Sequence, residues 1–222
     1  MKGSATVSHN KKEEPYLKGK NAIYLWSFVS INFAVFLCLL ISKVLTESSL
    51  DQFWHRVTMK DGIIAAGVPI LAIVLSGVVG DIGKARLVFW RWSDPLPGCR
   101  VFSKLIKTDP RIDVAALRSK LGEFPTEPHT QNALWFKLYR SHSEAPRILE
   151  GHRIYLLTRD MTTIAAVFAV LLSAAVFGAS TSFAVAGLYV VALLLQYLLV
   201  ATAARNYGNR FVLNVLSEEL HG

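Results

Sequence analysis

The sequence is poor in cysteine. Its 222 residues include two, Cys38 in an apolar run and Cys99 in a polar stretch. Two cysteines so differently placed form neither a disulfide framework nor a metal site. The histidines also lack the His-Glu-x-x-His spacing that is typical of zinc enzymes. We therefore expect no metal, no cofactor and no enzymatic activity.

Charged residues and histidine are missing from the interior of four apolar runs, residues 22–44, 62–80, 161–177 and 183–203. Proton relays and charged-substrate pathways in membranes usually contain such residues. Their absence argues against a small proton-coupled exporter. A passive pore needs no titratable group, because a polar or apolar constriction can gate it.

The apolar runs themselves predict a membrane protein. Hydrophobic residues make up 52% of the chain, and a spanning helix needs about 20 mostly apolar residues. The first and last runs have 23 and 21 residues, and the two shorter runs adjoin polar sequence into which a helix can continue. The first run is longer than the core of a cleavable signal peptide, so we interpret it as an anchor.

The distribution of basic residues predicts the orientation. Residues 81–160 contain fourteen Lys and Arg against nine Asp and Glu, a net charge of +5, whereas residues 178–182 carry no charge. Basic segments face the cytoplasm. The expected fold is an all-α membrane protein with four transmembrane helices and a helical cytoplasmic insert between the second and third. Its parts are a basic cytoplasmic leader (1–21), a first transmembrane hairpin with an outer amphipathic connection (22–80), the insert (81–160), a second hairpin (161–204) and a cytoplasmic tail (205–222).

Local signals predict the helices of the insert. No helix breaker occurs between the second span and residues 93–98, so we expect one helix that ends near Trp92. Asp109 and Pro110 predict the start of a helix that ends at Leu121. Further helices are predicted at 130–142 and from Pro146 into the third span. Because the insert is small, we expect neighbouring copies to complete its core.

Several aromatic and polar residues allow more than one interpretation. Phe89, Trp90 and Trp92 fit an aromatic belt at the membrane surface, a core for the insert, or a stacking surface for a base. Asn32 and Gln196 lie inside predicted spans, where they either form hydrogen bonds between helices or face a pore.

Positive charge is interleaved with aromatic residues in the insert. Basic grooves attract phosphates, and aromatic rings stack on bases. The alternative is that cytoplasmic flanks are basic because they face anionic lipid. The predicted ligand-binding residues are Arg100, Lys104, Lys107, Arg111, Arg118, Lys120, Trp135, Lys137, Tyr139 and Arg140.

In span count, topology and basic insert, the layout resembles compact four-transmembrane effectors of bacterial nucleotide-signalling anti-phage defence systems. The resemblance implies a homo-oligomer, with a tetramer favoured, in the bacterial inner membrane. It further implies a pore gated by a nucleotide or short single-stranded oligonucleotide, and a nucleotide-synthesising enzyme as cytoplasmic partner. The alternative is a non-conducting scaffold that docks a cytoplasmic protein through an exposed Trp135–Tyr139 face.

Overall fold

The computed structural model describes residues 19–39, 70–71, 73–179 and 183–221, and within these ranges the chain is helical without any strand. The all-α fold class is thereby confirmed. The helices are α1 (Gly19–Leu39), α2 (73–78), α3 (Asp81–Phe89), α4 (Val114–Leu121), α5 (Pro128–His142), α6 (Pro146–Ala179) and α7 (Phe183–His221), with two 3₁₀ turns at Pro97–Arg100 and Leu105–Thr108.

Three of the helices, α1, α6 and α7, are long and apolar enough to cross a membrane. These helices identify the chain as a membrane protein. Of the predicted span at 62–80, residues 62–69 and 72 lie outside the described residues, whereas residues 70–71 and 73–78 are helical. The predicted outer amphipathic connection lies entirely outside them.

The chain divides into two compact units. The polar unit consists, in its described part, of residues 19–22, 81–159 and 201–221. The apolar unit contains the described residues between 23 and 80 together with residues 160–200. Helices α6 and α7 each contribute residues to both units, because α6 continues past residue 159 and α7 begins before residue 201.

The core of the polar unit is built on the C-terminal part of α7. Trp135 of α5 is buried, and its indole Nε1–H donates a hydrogen bond to the Val212 carbonyl at 3.1 Å. Leu117, Ile148 and Leu216 are completely buried in the same cluster. The chain's own C-terminal helix thus supplies the core residues that we expected from neighbouring copies.

The expectation of one continuous helix up to Trp92 is wrong. The helix is interrupted at residues 79–80, and α3 ends at Phe89. Arg205 donates from Nε and Nη2 to the Val88 carbonyl at 3.2 and 3.0 Å. In a continuing helix that carbonyl would accept the N–H of Trp92. The chain instead turns away at Trp90, which adopts a left-handed φ of 53°.

The start of α4 also differs from the prediction. Its N-cap is Asp113, whose carboxylate accepts the N–H groups of Ala115 and Ala116 at 2.8 and 3.0 Å. Asp109 lies one turn earlier and makes other contacts. The predicted end is confirmed, since Gly122 follows α4 with a φ of 80° that favours glycine.

Helices α5 and α6 follow their local signals. Pro128 stands at the first turn of α5, and the preceding Glu127 accepts the N–H groups of His129 and Thr130. Hydrogen bonds from the Thr130 hydroxyl and these N–H groups lower the pKa of Glu127 to about 2. The predicted helices at 130–142 and from Pro146 onward are confirmed.

Glycine at position 208 of α7 permits a close approach of two rings. A Cβ at this position would lie 2.8 Å from Cε2 of Tyr155 and 2.9 Å from Cζ of Phe89. Both rings belong to the buried cluster, so neither has room to move aside. A Cβ atom in a packed core does not approach another heavy atom this closely.

We predict that Gly208→Ala destabilises the polar unit, because overpacking a core costs about 1–3 kcal/mol and exceeds the gain in helix propensity. The measurement is the midpoint of thermal unfolding in detergent. Gly187→Ala is the matched control on the same helix, since nothing lies within 4 Å of a Cβ at that position. A midpoint for Gly208→Ala at or above that of Gly187→Ala contradicts the prediction.

Candidate anion-binding cleft

An open cleft of about 620 Å³ lies within the polar unit. Its walls come from the segment before α4, the first turn of α6 and one face of α7. The lining residues are Thr108, Asp109, Pro110, Arg111, Arg147, Asn206, Asn209, Arg210, Leu213 and Asn214. This set contains three arginines and one aspartate, so the lining carries a net charge of +2.

Helix periodicity explains the α7 wall. Its five residues occupy positions i, i+3, i+4, i+7 and i+8, a spacing that brings side chains to one helix face. Four of the five are asparagine or arginine, and the fifth, Leu213, is buried beneath them. The residues lie beyond the apolar run of α7, where the helix continues as part of the polar unit.

Arg111 is held in position by two neighbours. Its Nε donates to the Asp109 carboxylate at 2.9 Å, and its Nη1 donates to Oδ1 of Asn214 at 3.1 Å. The hydrogen bond with Arg111 lowers the pKa of Asp109, whose side chain is 9% exposed, and raises the pKa of Arg111. Arg111 therefore keeps a fixed direction and a permanent charge.

Arg147 and Arg210 differ from Arg111. Both side chains are exposed, and neither has a hydrogen bond or ion pair with any other residue in the described ranges. Oδ1 of Asn209, in the same wall, is buried without a hydrogen-bond partner in that part of the chain. The cleft thus combines one fixed guanidinium, two guanidinium groups without such bonds and several amides.

This arrangement suits a phosphate or carboxylate group. Guanidinium groups bind such anions through paired N–H donors, and hydrogen bonds to charged groups are stronger than neutral ones. The asparagine amides can donate or accept hydrogen bonds with the rest of a ligand. Within the described residues, no three His, Cys, Asp or Glu side chains come together in a way that holds a metal ion.

Of the ten residues predicted to bind a ligand, Arg111 lines the cleft. Arg100 instead stacks its guanidinium 4.8 Å from the centre of the Phe89 ring and donates to the carbonyls of Pro95 and Leu96. Burial lowers the pKa of Arg100. Its contacts indicate a structural role at the edge of the core.

Two further predicted residues have partners elsewhere. Lys120 forms an ion pair with Glu219 at 3.0 Å and also donates to its backbone carbonyl. Arg118 lies 3.9 Å from Glu123 and above the Phe124 ring. The remaining cations, Lys104, Lys107, Lys137 and Arg140, are exposed and do not line the cleft.

The expectation that Trp135 and Tyr139 form an exposed face is wrong. Their side chains are 8% and 5% exposed, with ring centroids 5.6 Å apart. Tyr139 also shares a 3.0 Å hydrogen bond with Nδ1 of His152. Both rings are buried because α7 covers them, so neither presents a stacking surface for a base. Phe136 is the exposed aromatic residue of α5.

The prediction missed Arg147, Arg210 and the asparagines of α7. The signal was available, because Asn206, Arg210 and Asn214 recur every four residues after the apolar run. The sequence predicts a tail at residues 205–222, and that prediction does not relate this spacing to the insert. That relation depends on packing between residues about one hundred positions apart.

The two polar residues of the spans have different surroundings. Asn32 is buried, and its Nδ2 donates to the Phe28 carbonyl of its own helix at 2.9 Å. A hydrogen bond within one helix explains it without a pore. Gln196 is half-buried, and its amide makes no hydrogen bond with the described part of the chain.

Fold and cleft together define a helical membrane protein with a basic, open cleft. Comparison of the chain with protein families, with curated proteins and with solved structures finds no match.

We predict that Asp109→Asn lowers stability at neutral pH by about 1.5 kcal/mol, because a charged hydrogen bond to Arg111 is lost. The folded-state pKa of Asp109 is depressed, so its contribution is present above the unfolded pKa of about 3.9 and disappears as pH falls through the folded value. The measurement is the unfolding midpoint as a function of pH.

Asp113→Asn provides the matched control. The exposed carboxylate of Asp113 caps α4, and asparagine caps helices about equally well. We expect this control to unfold close to the wild type at neutral pH. A constant difference between wild type and Asp109→Asn down to the lowest pH would contradict the proposed role of the carboxylate.

Proposed function

We propose that the chain is a membrane effector whose polar unit binds a phosphate-bearing ligand, a nucleotide or short oligonucleotide, and whose transmembrane helices respond to it. The carrying observation is the cleft of Arg111, Arg147 and Arg210, in which the guanidinium groups of Arg147 and Arg210 form no hydrogen bond or ion pair with the described residues. An excess of positive charge around one cavity favours an anionic ligand.

Size and chemistry favour a nucleotide over a simple ion. Small-molecule sites have volumes of about 300–1,000 Å³, and the cleft has about 620 Å³. The arginines would hold the phosphates. The amides of Asn206 and Asn209, with both donors and acceptors, would face a sugar or base.

Two membrane helices contribute directly to the cleft. Arg147 belongs to the first turn of α6, and Arg210 belongs to α7. Each helix continues into an apolar segment that is long enough to span a bilayer. A ligand that bridges the two arginines therefore acts on two spanning helices without an intervening loop, which supports coupling between binding and the membrane.

The contacts within the polar unit favour four transmembrane spans. Nδ2 of Asn21 donates to the Arg153 carbonyl at 2.9 Å, so the start of α1 belongs to the same unit as the start of α6. Asp81 belongs to this unit as well. If α1 crosses the membrane, the chain must cross back before Asp81, and residues 62–80 would form that crossing. The basic insert and both termini would then be cytoplasmic.

The effector hypothesis extends to assembly. We propose a homo-oligomer, with a tetramer favoured, that forms a ligand-gated pore in the bacterial inner membrane during anti-phage defence. A nucleotide-synthesising enzyme would supply the ligand. The half-buried Gln196, which has no hydrogen bond within the described residues, is suited to a contact between subunits or to a pore wall. The scaffold alternative loses its docking surface, because Trp135 and Tyr139 are buried.

We predict that the double charge reversal Arg147→Glu/Arg210→Glu weakens nucleotide or oligonucleotide binding by roughly a hundredfold or more, since each charged hydrogen bond contributes about 1.5–3 kcal/mol. The measurement is titration calorimetry of the detergent-purified protein. Lys104→Glu/Lys107→Glu is the matched control, because it changes the charge equally at exposed positions outside the cleft. Equal losses in the two variants would show that binding depends on net charge rather than on the cleft.

We also predict that the ligand which binds the wild type opens a pathway across the membrane. Protein reconstituted into dye-loaded liposomes should release dye or conduct ions on ligand addition, and Arg147→Glu/Arg210→Glu should remain closed. Mass measurement in native membranes should give a tetramer. Tight binding without release, or a monomer that binds fully, contradicts the pore and leaves a non-conducting receptor.

A further inference from the structure

A pair of tryptophans on the polar unit is exposed to an unusual degree. The side chain of Trp90 is 51% exposed and that of Trp92 is 82% exposed. Both follow α3, where the left-handed turn at Trp90 directs the chain away from the helix axis. Phe89, immediately before them, is buried in the core. Phe89 is therefore a core residue, and the two tryptophans are not.

Arg205 links Trp90 to the end of the apolar part of α7. The guanidinium of Arg205 lies 4.1 Å from the centre of the Trp90 ring. Arg205 is the first charged residue after the apolar residues 183–204 of α7. At 1.5 Å per residue this stretch covers about 30 Å, the thickness of the hydrocarbon layer. Trp90 thus lies beside the end of the apolar part of α7.

A second contact fixes the other end of α3. Asp81, the first residue of α3, forms an ion pair with Arg159 at 3.0 Å. Arg159 and Asp160 are the last charged residues before the apolar part of α6. The two ends of α3 therefore contact α6 and α7 at the positions where these helices change from polar to apolar.

Tryptophan is enriched at this depth because its ring is apolar and its N–H is polar. Basic residues surround the pair. Arg86 donates to the Trp92 carbonyl at 3.1 Å and stands 5.6 Å from the ring of Trp92, and Arg91 separates the two tryptophans. Cations in this position attract anionic lipid headgroups.

We propose that Trp90 and Trp92 lie in the lipid headgroup layer and anchor α3 along the membrane surface. The anchor is independent of the cleft, since none of its residues lines that cavity. Its ligand is the bilayer interface, with the indoles among the headgroups and the neighbouring arginines beside lipid phosphates.

The test uses the full chain in nanodiscs of phosphatidylcholine and phosphatidylglycerol. Tryptophan fluorescence is compared between wild type, Trp90→Phe and Trp92→Phe, with a spin label placed either on the lipid headgroup or deep in the acyl chain. Each substitution should remove an emission component that the headgroup label quenches more strongly than the deep label. Because both side chains are exposed, we expect both variants to fold.

Phe136→Trp in the Trp92→Phe background is the matched control. It adds an indole at an exposed position of α5, which should be quenched by aqueous iodide and not by either lipid label. The proposal is overturned if the component lost in Trp92→Phe behaves like this control. It is also overturned if that component is quenched by added nucleotide and not by the lipid labels, which would identify a stacking surface.

Discussion

The packing around Phe211 is the constraint on which the polar unit depends. Its ring centroid lies 5.5 Å from that of Trp135, 5.6 Å from that of Tyr139 and 4.9 Å from that of His152. These contacts, together with the hydrogen bond from the Trp135 indole to the Val212 carbonyl, fix the rotation of α7 about its axis. Once that rotation is fixed, the adjacent Arg210 is held on the face that lines the cleft. The basic cleft therefore depends on an aromatic core whose residues do not line it.

Much of the fold follows from local signals. Proline at the first turn and the preceding acidic cap define α5, and an uninterrupted helical pattern after Pro146 defines α6. These features need no knowledge of the rest of the chain, so the sequence suffices. The end of α3 is different, since a side chain 117 positions away, Arg205, satisfies the carbonyl of Val88. No local pattern contains that information.

The candidate site was only partly accessible to sequence reasoning. Arg111 was identified because it is basic and lies in the insert, yet most other basic residues of the insert lie outside the cleft. Trp135 and Tyr139 belong to the apolar face of an amphipathic helix. Such a face can bind another protein or pack against the chain's own helix α7, and the sequence pattern does not distinguish the two. The missing element was the polar continuation of α7. Its asparagines and Arg210 complete a site whose other half lies about one hundred residues earlier.

The proposed coupling of ligand and membrane relies on α6 and α7, which each carry residues of the cleft and an apolar segment long enough to span a bilayer. The most direct test of this account is to identify the residues that a photoreactive, azido-substituted nucleotide labels in the intact detergent-solubilised protein. The account predicts labelled peptides from residues 108–111 and from residues 206–214, both protected by excess unmodified nucleotide. Protected labelling confined to residues 134–140 or to Lys104 and Lys107 would contradict it.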